Sequence, residues 1–184
     1  MRPFILLLIA VTAFPQNIRL QQFLFAPYED PEAYKVYSAL LPQSDLPLLI
    51  RKDTVSDNAC VGSVRAVDKS AASALDNYEK VNAMGWMLQD KFSLPKLPTL
   101  ATLDEIGAMD AEDQRTGRVE RGSSQTRPHF VLSAVGFNAD KTIAVVFIYY
   151  ACGGLCGHGH LAVLRKTDGT WKEGKEGNVC GIVS

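Results

Sequence analysis

The stretch that decides the fold runs from His129 to Glu173 and reads HFVLSAVGFNADKTIAVVFIYYACGGLCGHGHLAVLRKTDGTWKE. Its period is two, the repeat of a strand whose side chains alternate between faces. Phe130 to Phe137 reads as one strand, and Asn138 to Lys141 as a turn. Thr142 to Tyr150 is a dense β-branched and aromatic run, the most strand-like in the chain. A glycine-rich loop, Cys152 to Gly159, precedes a further strand from His160 to Lys166. Asp168-Gly169 favours a tight hairpin turn, after which Trp171 opens a last strand. The stretch predicts an antiparallel β-meander.

Upstream the period changes. From Val64 to Phe92, the residues Val67, Ala71, Ala74, Tyr78, Val81, Gly85, Leu88 and Phe92 step by three or four. That spacing predicts one long helix with a buried apolar face, with Ser63 as its N-cap. Asp30-Pro31-Glu32 opens an earlier helix that Pro42 stops: a cap, a proline with no amide to waste, and an acid at the positive dipole end. Leu48 to Lys52 reads as a short strand able to join the sheet edge, and Thr102 to Glu105 as a capping box opening a helix to about Gln114. The expected fold class is therefore α+β, with N-terminal helices, one of them long, packed on a C-terminal antiparallel β-meander.

Hydrophobic residues make up 47% of the 184 and charged residues 21%, which excludes a disordered, collagen-like or coiled-coil chain. Nineteen basic residues against twenty acidic ones give a net charge of −1. That balance supplies no excess positive charge for nucleic acid. A cluster of Arg115, Arg118, Arg121 and Arg127 lacks interleaved aromatics and reads as a solvated loop.

The N-terminus reads MRPFILLLIAVTAFPQ. Arg2, the apolar run and Val11-Thr12-Ala13 are in the order of a secretory signal peptide, cleaved after Ala13. The run is about half of the ~20 residues a transmembrane helix needs. The expected organisation is a signal peptide over 1–13 and a single domain over 14–184, secreted or periplasmic, with no membrane span after cleavage.

Residues 136–172 resemble a set of uncharacterised secreted bacterial proteins. Shared features are the Gly136-Phe137-Asn138 turn, the Cys152-Gly153-Gly154-Leu155-Cys156-Gly157 loop, and Lys166-Thr167-Asp168-Gly169-Thr170-Trp171. The resemblance implies secretion and this hairpin, and carries no activity.

Chemistry concentrates in Cys152, Cys156, His158 and His160, four potential soft ligands within nine residues. In an oxidising compartment Cys152 and Cys156 are expected to pair, with glycines giving the loop freedom to close. Cys60 and Cys180 form the other candidate pair, closing about 120 residues. Four cysteines allow three pairings, and spacing alone does not choose among them. The alternative is a zinc or copper site made by the same two thiols and two histidines. A thiol oxidoreductase fits poorly, because the pair sits between strands and not at a helix N-terminus. Hydrolase signatures are missing, so Ser123 and Ser124 read as loop serines. No phosphate-binding glycine motif appears. The sequence thus predicts a disulfide-stabilised, non-enzymatic domain without a cofactor, binding an unidentified protein or small molecule. The metal- or thiol-handling hairpin is its alternative.

Overall fold

A computed structural model describes residues 25–119, 126–153, 156–174 and 180–183. The expected signal peptide over 1–13, and Arg121, Ser123 and Ser124, lie outside the described residues. The elements in chain order are β1 (Ala26–Pro27), α1 (Pro31–Leu40), β2 (Leu49–Arg51), α2 (Val61–Val67), α3 (Ala72–Val81), β3 (Trp86–Met87), β4 (Thr99–Ala101), α4 (Leu103–Arg115), β5 (His129–Leu132), β6 (Gly136–Phe137), β7 (Ile143–Ala151), β8 (His158–Thr167), β9 (Thr170–Glu173) and β10 (Gly181–Val183).

The expected long helix is not formed. The 64–92 segment divides into α2, a 3-10 turn at Lys69–Ala71, α3 and the strand β3. The reason is Asp68. Its carboxylate accepts from Ser70 N (3.1 Å) and Ser70 Oγ (2.6 Å), and Arg165 of β8 donates to it. An Asp that bonds its own backbone two residues on competes with the helix and restarts it. Val67, expected inside, is 59% exposed, whereas Ala71, Ala74, Tyr78 and Leu88 are buried. At the other end Trp86 and Met87 pair in parallel with Ala26 and Pro27. Gly85 lies under the Phe25 ring, where any Cβ would collide.

The sheet is mixed, not an antiparallel meander alone. Its order is β10-β8-β7-β5-β2-β4, with β6 also on β7 and β9 also on β8, eight strands among the described residues. β7, β8 and β9 form the expected antiparallel run, and Asp168 and Gly169 take positive φ in the two-residue turn. However, β2 pairs in parallel with both β4 and β5. It is an interior strand, not an edge one. Its parallel partners require crossovers, which the helices between β2 and β5 provide.

Alternation along β7 builds two cores. Ala144, Val146 and Ile148 face α1, with Tyr28, Tyr34, Tyr37, Phe92 and Trp171. Val145 and Phe147 face α2 and α3, with Val64, Leu75, Tyr78, Leu161 and Val163. Capping follows the sequence. Asp30 accepts from Glu32 N at 3.0 Å, and Thr102 and Glu105 form a reciprocal capping box.

The expected continuous strand from Phe130 to Phe137 is broken. Leu132 pairs with Ile148 but Gly136 with Val145, so β5–β6 spends one residue more than β7 does. This is a β-bulge. The ladder partners it lacks are supplied by side chains from both layers. Tyr37 Oη donates to Ser133 O (2.7 Å), and Tyr28 Oη accepts from Val135 N (2.9 Å). Asn82, just past α3, donates to Ala134 O (2.9 Å) and accepts from Ala134 N (3.0 Å). Ser133 Oγ accepts from Phe147 N at 2.8 Å. Burial pushes the Tyr28 and Tyr37 phenols upward, so both remain protonated at neutral pH.

Asn82→Ala is expected to leave the buried Ala134 N–H unpartnered, with Ser133 Oγ the remaining donor to Ala134 O, and to cost about 2 kcal/mol in urea unfolding. Val67→Ala, on the exposed side of α2, is expected to stay within about 0.5 kcal/mol. Equal losses at the two positions would contradict the division of the 64–92 segment.

A charged tie fastens α1 to the hairpin. Glu32 accepts from Lys166 Nζ (2.6 Å), Trp171 Nε1 (2.8 Å) and Lys35 Nζ (3.0 Å). The Lys166 bond leads in holding its carboxyl down, from 4.5 to about 2. A lowered folded-state pKa adds stability above the unfolded value and loses it as pH falls. The gap in unfolding free energy between wild type and Glu32→Gln is therefore expected to shrink between pH 4.5 and 2. A gap constant across that window would contradict the tie.

Candidate functional site

Register concentrates unusual side chains at one end of the sheet. Phe130, Tyr150 and His158 are direct partners across β5, β7 and β8. They share a face, because direct cross-strand partners do. Ring centroids lie 5.1 Å apart for Phe130–Tyr150 and 5.5 Å for Tyr150–His158. This is the α1 face, yet α1 stops at Leu40, short of the row. Phe130 and Tyr150 are half-buried and His158 is exposed. With Pro42, Ser44 and Leu48, the row lines a hollow of about 460 Å³.

Around the sheet end lies a second hollow of about 350 Å³, with Asp110, Asp113, Thr126, Arg127, Cys152 and Cys156 in its wall. Its charges are engaged. Arg127 donates to Asp113 Oδ2 from Nε (3.0 Å) and Nη2 (2.6 Å), and Arg118 reaches Asp113 Oδ1 (3.0 Å). The Arg127 guanidinium, with Arg118 beside it, holds the Asp113 carboxyl below its usual range. Asp110 accepts from Arg127 N (2.7 Å) and from the Thr126 hydroxyl. Arg115 pairs with Glu112. The described arginines of the basic cluster are therefore ion-paired with α4. His129 is buried, with Nδ1 2.8 Å from Arg127 O.

The four cysteines form two disulfides, Cys60–Cys180 and Cys152–Cys156. The domain is disulfide-stabilised. Cys152 and Cys156 continue the β7–β8 register two residues beyond Tyr150 and His158, with Cα atoms 5.7 Å apart. The hairpin itself brings them into bonding range. Cys60, at the start of α2, is 1% exposed and ties the β10 end of the chain to the α2–α3 core.

The candidate metal ligands are dispersed among other partners. The two sulfurs bond each other, His158 packs beside Tyr150, and His160 Nε2 lies 2.7 Å from Glu173 Oε1. Sequence reasoning missed the aromatic row. Its signal was present, since Tyr150 and His158 stand symmetrically about the Cys152–Cys156 loop. Phe130 joins only once β5 is registered against β7.

No protein-family model, curated protein or solved structure matches the chain.

Loop length separates the two bridges energetically. In the chain-entropy treatment, closing the long loop is worth about 5 kcal/mol and the short one about 2 kcal/mol. The Cys60→Ser/Cys180→Ser double variant is expected to lose at least twice the unfolding free energy lost by Cys152→Ser/Cys156→Ser. The reverse order in denaturant titrations would contradict it.

Proposed function

We propose that this is an extracytoplasmic, non-enzymatic binding domain that receives an uncharged ligand with a flat apolar face on the Phe130–Tyr150–His158 row. The observation that carries the reading is the row itself: three rings in register on adjacent strands, left open beyond the end of α1. Ligand sites are typically concave and mostly apolar, with a few polar groups, and about 300–1,000 Å³ in volume. The hollow beside the row is of that size, and Ser44, Tyr150 and His158 supply its polar atoms. Stacking aromatics give large contact area with few rotatable bonds to immobilise.

The charged groups nearby support binding over catalysis. Asp110, Asp113, Arg118 and Arg127 are committed to one another and to backbone, and His129 Nδ1 faces a carbonyl. A working general base instead needs reach to a substrate proton. The signal-like N-terminus and two disulfides support an oxidising, extracytoplasmic setting.

Backbone and aromatic NMR shifts should be followed while neutral mono- and oligosaccharides and uncharged heteroaromatics are titrated in. At least one is expected to perturb Phe130, Tyr150 and His158 first, and Tyr150→Ala to weaken it about tenfold or more, the scale of losing a stacked ring. Binding that maps elsewhere, or that survives Tyr150→Ala unchanged, would overturn the assignment.

A further inference from the structure

The two disulfides stand in opposite environments. Cys60 is buried in the α2–α3 core, and its half-buried partner Cys180 packs against that core. Cys156 is exposed and Cys152 half-buried, and both line the 350 Å³ hollow at the sheet end. β7 ends at Ala151 and β8 begins at His158, so the bond lies outside the ladder. Tyr150 and His158 already close that ladder. Breaking Cys152–Cys156 therefore removes no strand pairing. It also releases a loop whose closure contributes little chain entropy. Thiol–disulfide exchange depends on access to a sulfur and on which sulfur is attacked. Of the four cysteines only Cys156 is exposed, with Cys152 and Cys180 half-buried and Cys60 buried, so the most accessible sulfur belongs to the Cys152–Cys156 bridge.

We infer that Cys152–Cys156 is an exchangeable disulfide, open to an external dithiol in the folded protein, while Cys60–Cys180 is a permanent structural bond. The protein is the electrophile here, so no activated cysteine is required. One thiolate of the dithiol attacks the exposed Cys156 Sγ. The Cys152–Cys156 bond breaks, and Cys152 leaves as a thiolate that takes a proton from water. The second thiolate of the dithiol then attacks its own sulfur in the mixed disulfide. Cys156 is released as a thiolate and protonated, and the dithiol closes as its disulfide. Two electrons and two protons pass from the dithiol to the protein. The product is a domain with one wall of the Arg127 hollow unstapled and the fold retained.

The test is differential alkylation of the folded, full chain. It is incubated with graded dithiothreitol at neutral pH without denaturant, quenched with iodoacetamide, and mapped by mass spectrometry. Cys152 and Cys156 are expected to be labelled about tenfold or more faster than Cys60 and Cys180, as access governs exchange. Equal rates, or earlier labelling of Cys60 and Cys180, would overturn the inference. Two variants test access to each sulfur with glutathione disulfide as probe. In Cys152→Ser the exposed Cys156 is expected to form a mixed disulfide faster than Cys152 does in Cys156→Ser. The opposite order would contradict Cys156 as the more accessible sulfur. The wild-type labelling pattern stands whether or not either variant folds.

Discussion

The bulge between β5 and β6 is the constraint on which the rest depends. A residue inserted into an interior strand strips backbone groups of ladder partners, and buried groups left so are costly. Here the partners come from both sides of the sheet, Tyr28 and Tyr37 from the α1 layer and Asn82 from the end of α3. The two layers are thereby located relative to one sheet position. The bulge also restores facing: Leu132 and Phe137, five apart in sequence, both reach the α1 core. Gly136 then meets α3 so closely that an added Cβ would sit 2.4 Å from Tyr78 N.

From that fixed point the open end of the sheet follows. Glu32 anchors the start of α1 beside Lys166 and Trp171. Tyr37 ties the middle of α1 to Ser133. With both points held and Pro42 ending the run, the helix covers the sheet's middle and leaves the Phe130–Tyr150–His158 row only partly covered. The other side of the same end is closed by α4, through Asp110 and Asp113 on Arg127. One sheet end thus has an apolar side, a charge-compensated side and a surface disulfide between them.

Much of this was legible where local chemistry decides. Asp30 and Thr102 cap helices as their neighbours dictate, and Asp168-Gly169 makes its turn. The period of two in 143–150 correctly splits the two cores. The misreadings share a cause. A three-four spacing of apolar residues does not reveal that Asp68 turns its carboxylate onto Ser70, or that Trp86 and Met87 are taken by β1. Nor does alternation from Phe130 to Phe137 reveal an extra residue whose amides are met by a distant Tyr28 and Asn82. β2 was read as a strand, but its interior, parallel place depends on β4 and β5, far along the chain. The aromatic row was hidden for the same reason, as it exists only in register.

Native-state hydrogen exchange of individual amides tests the bulge most directly. Ala134 N, Val135 N and Phe147 N are bonded to side chains, on Asn82, Tyr28 and Ser133. If the bulge is the fixed point of the fold, these three amides exchange as slowly as those paired within β7 and β8, through global unfolding only. Fast, locally opened exchange at the three, with β7 and β8 still protected, would contradict it.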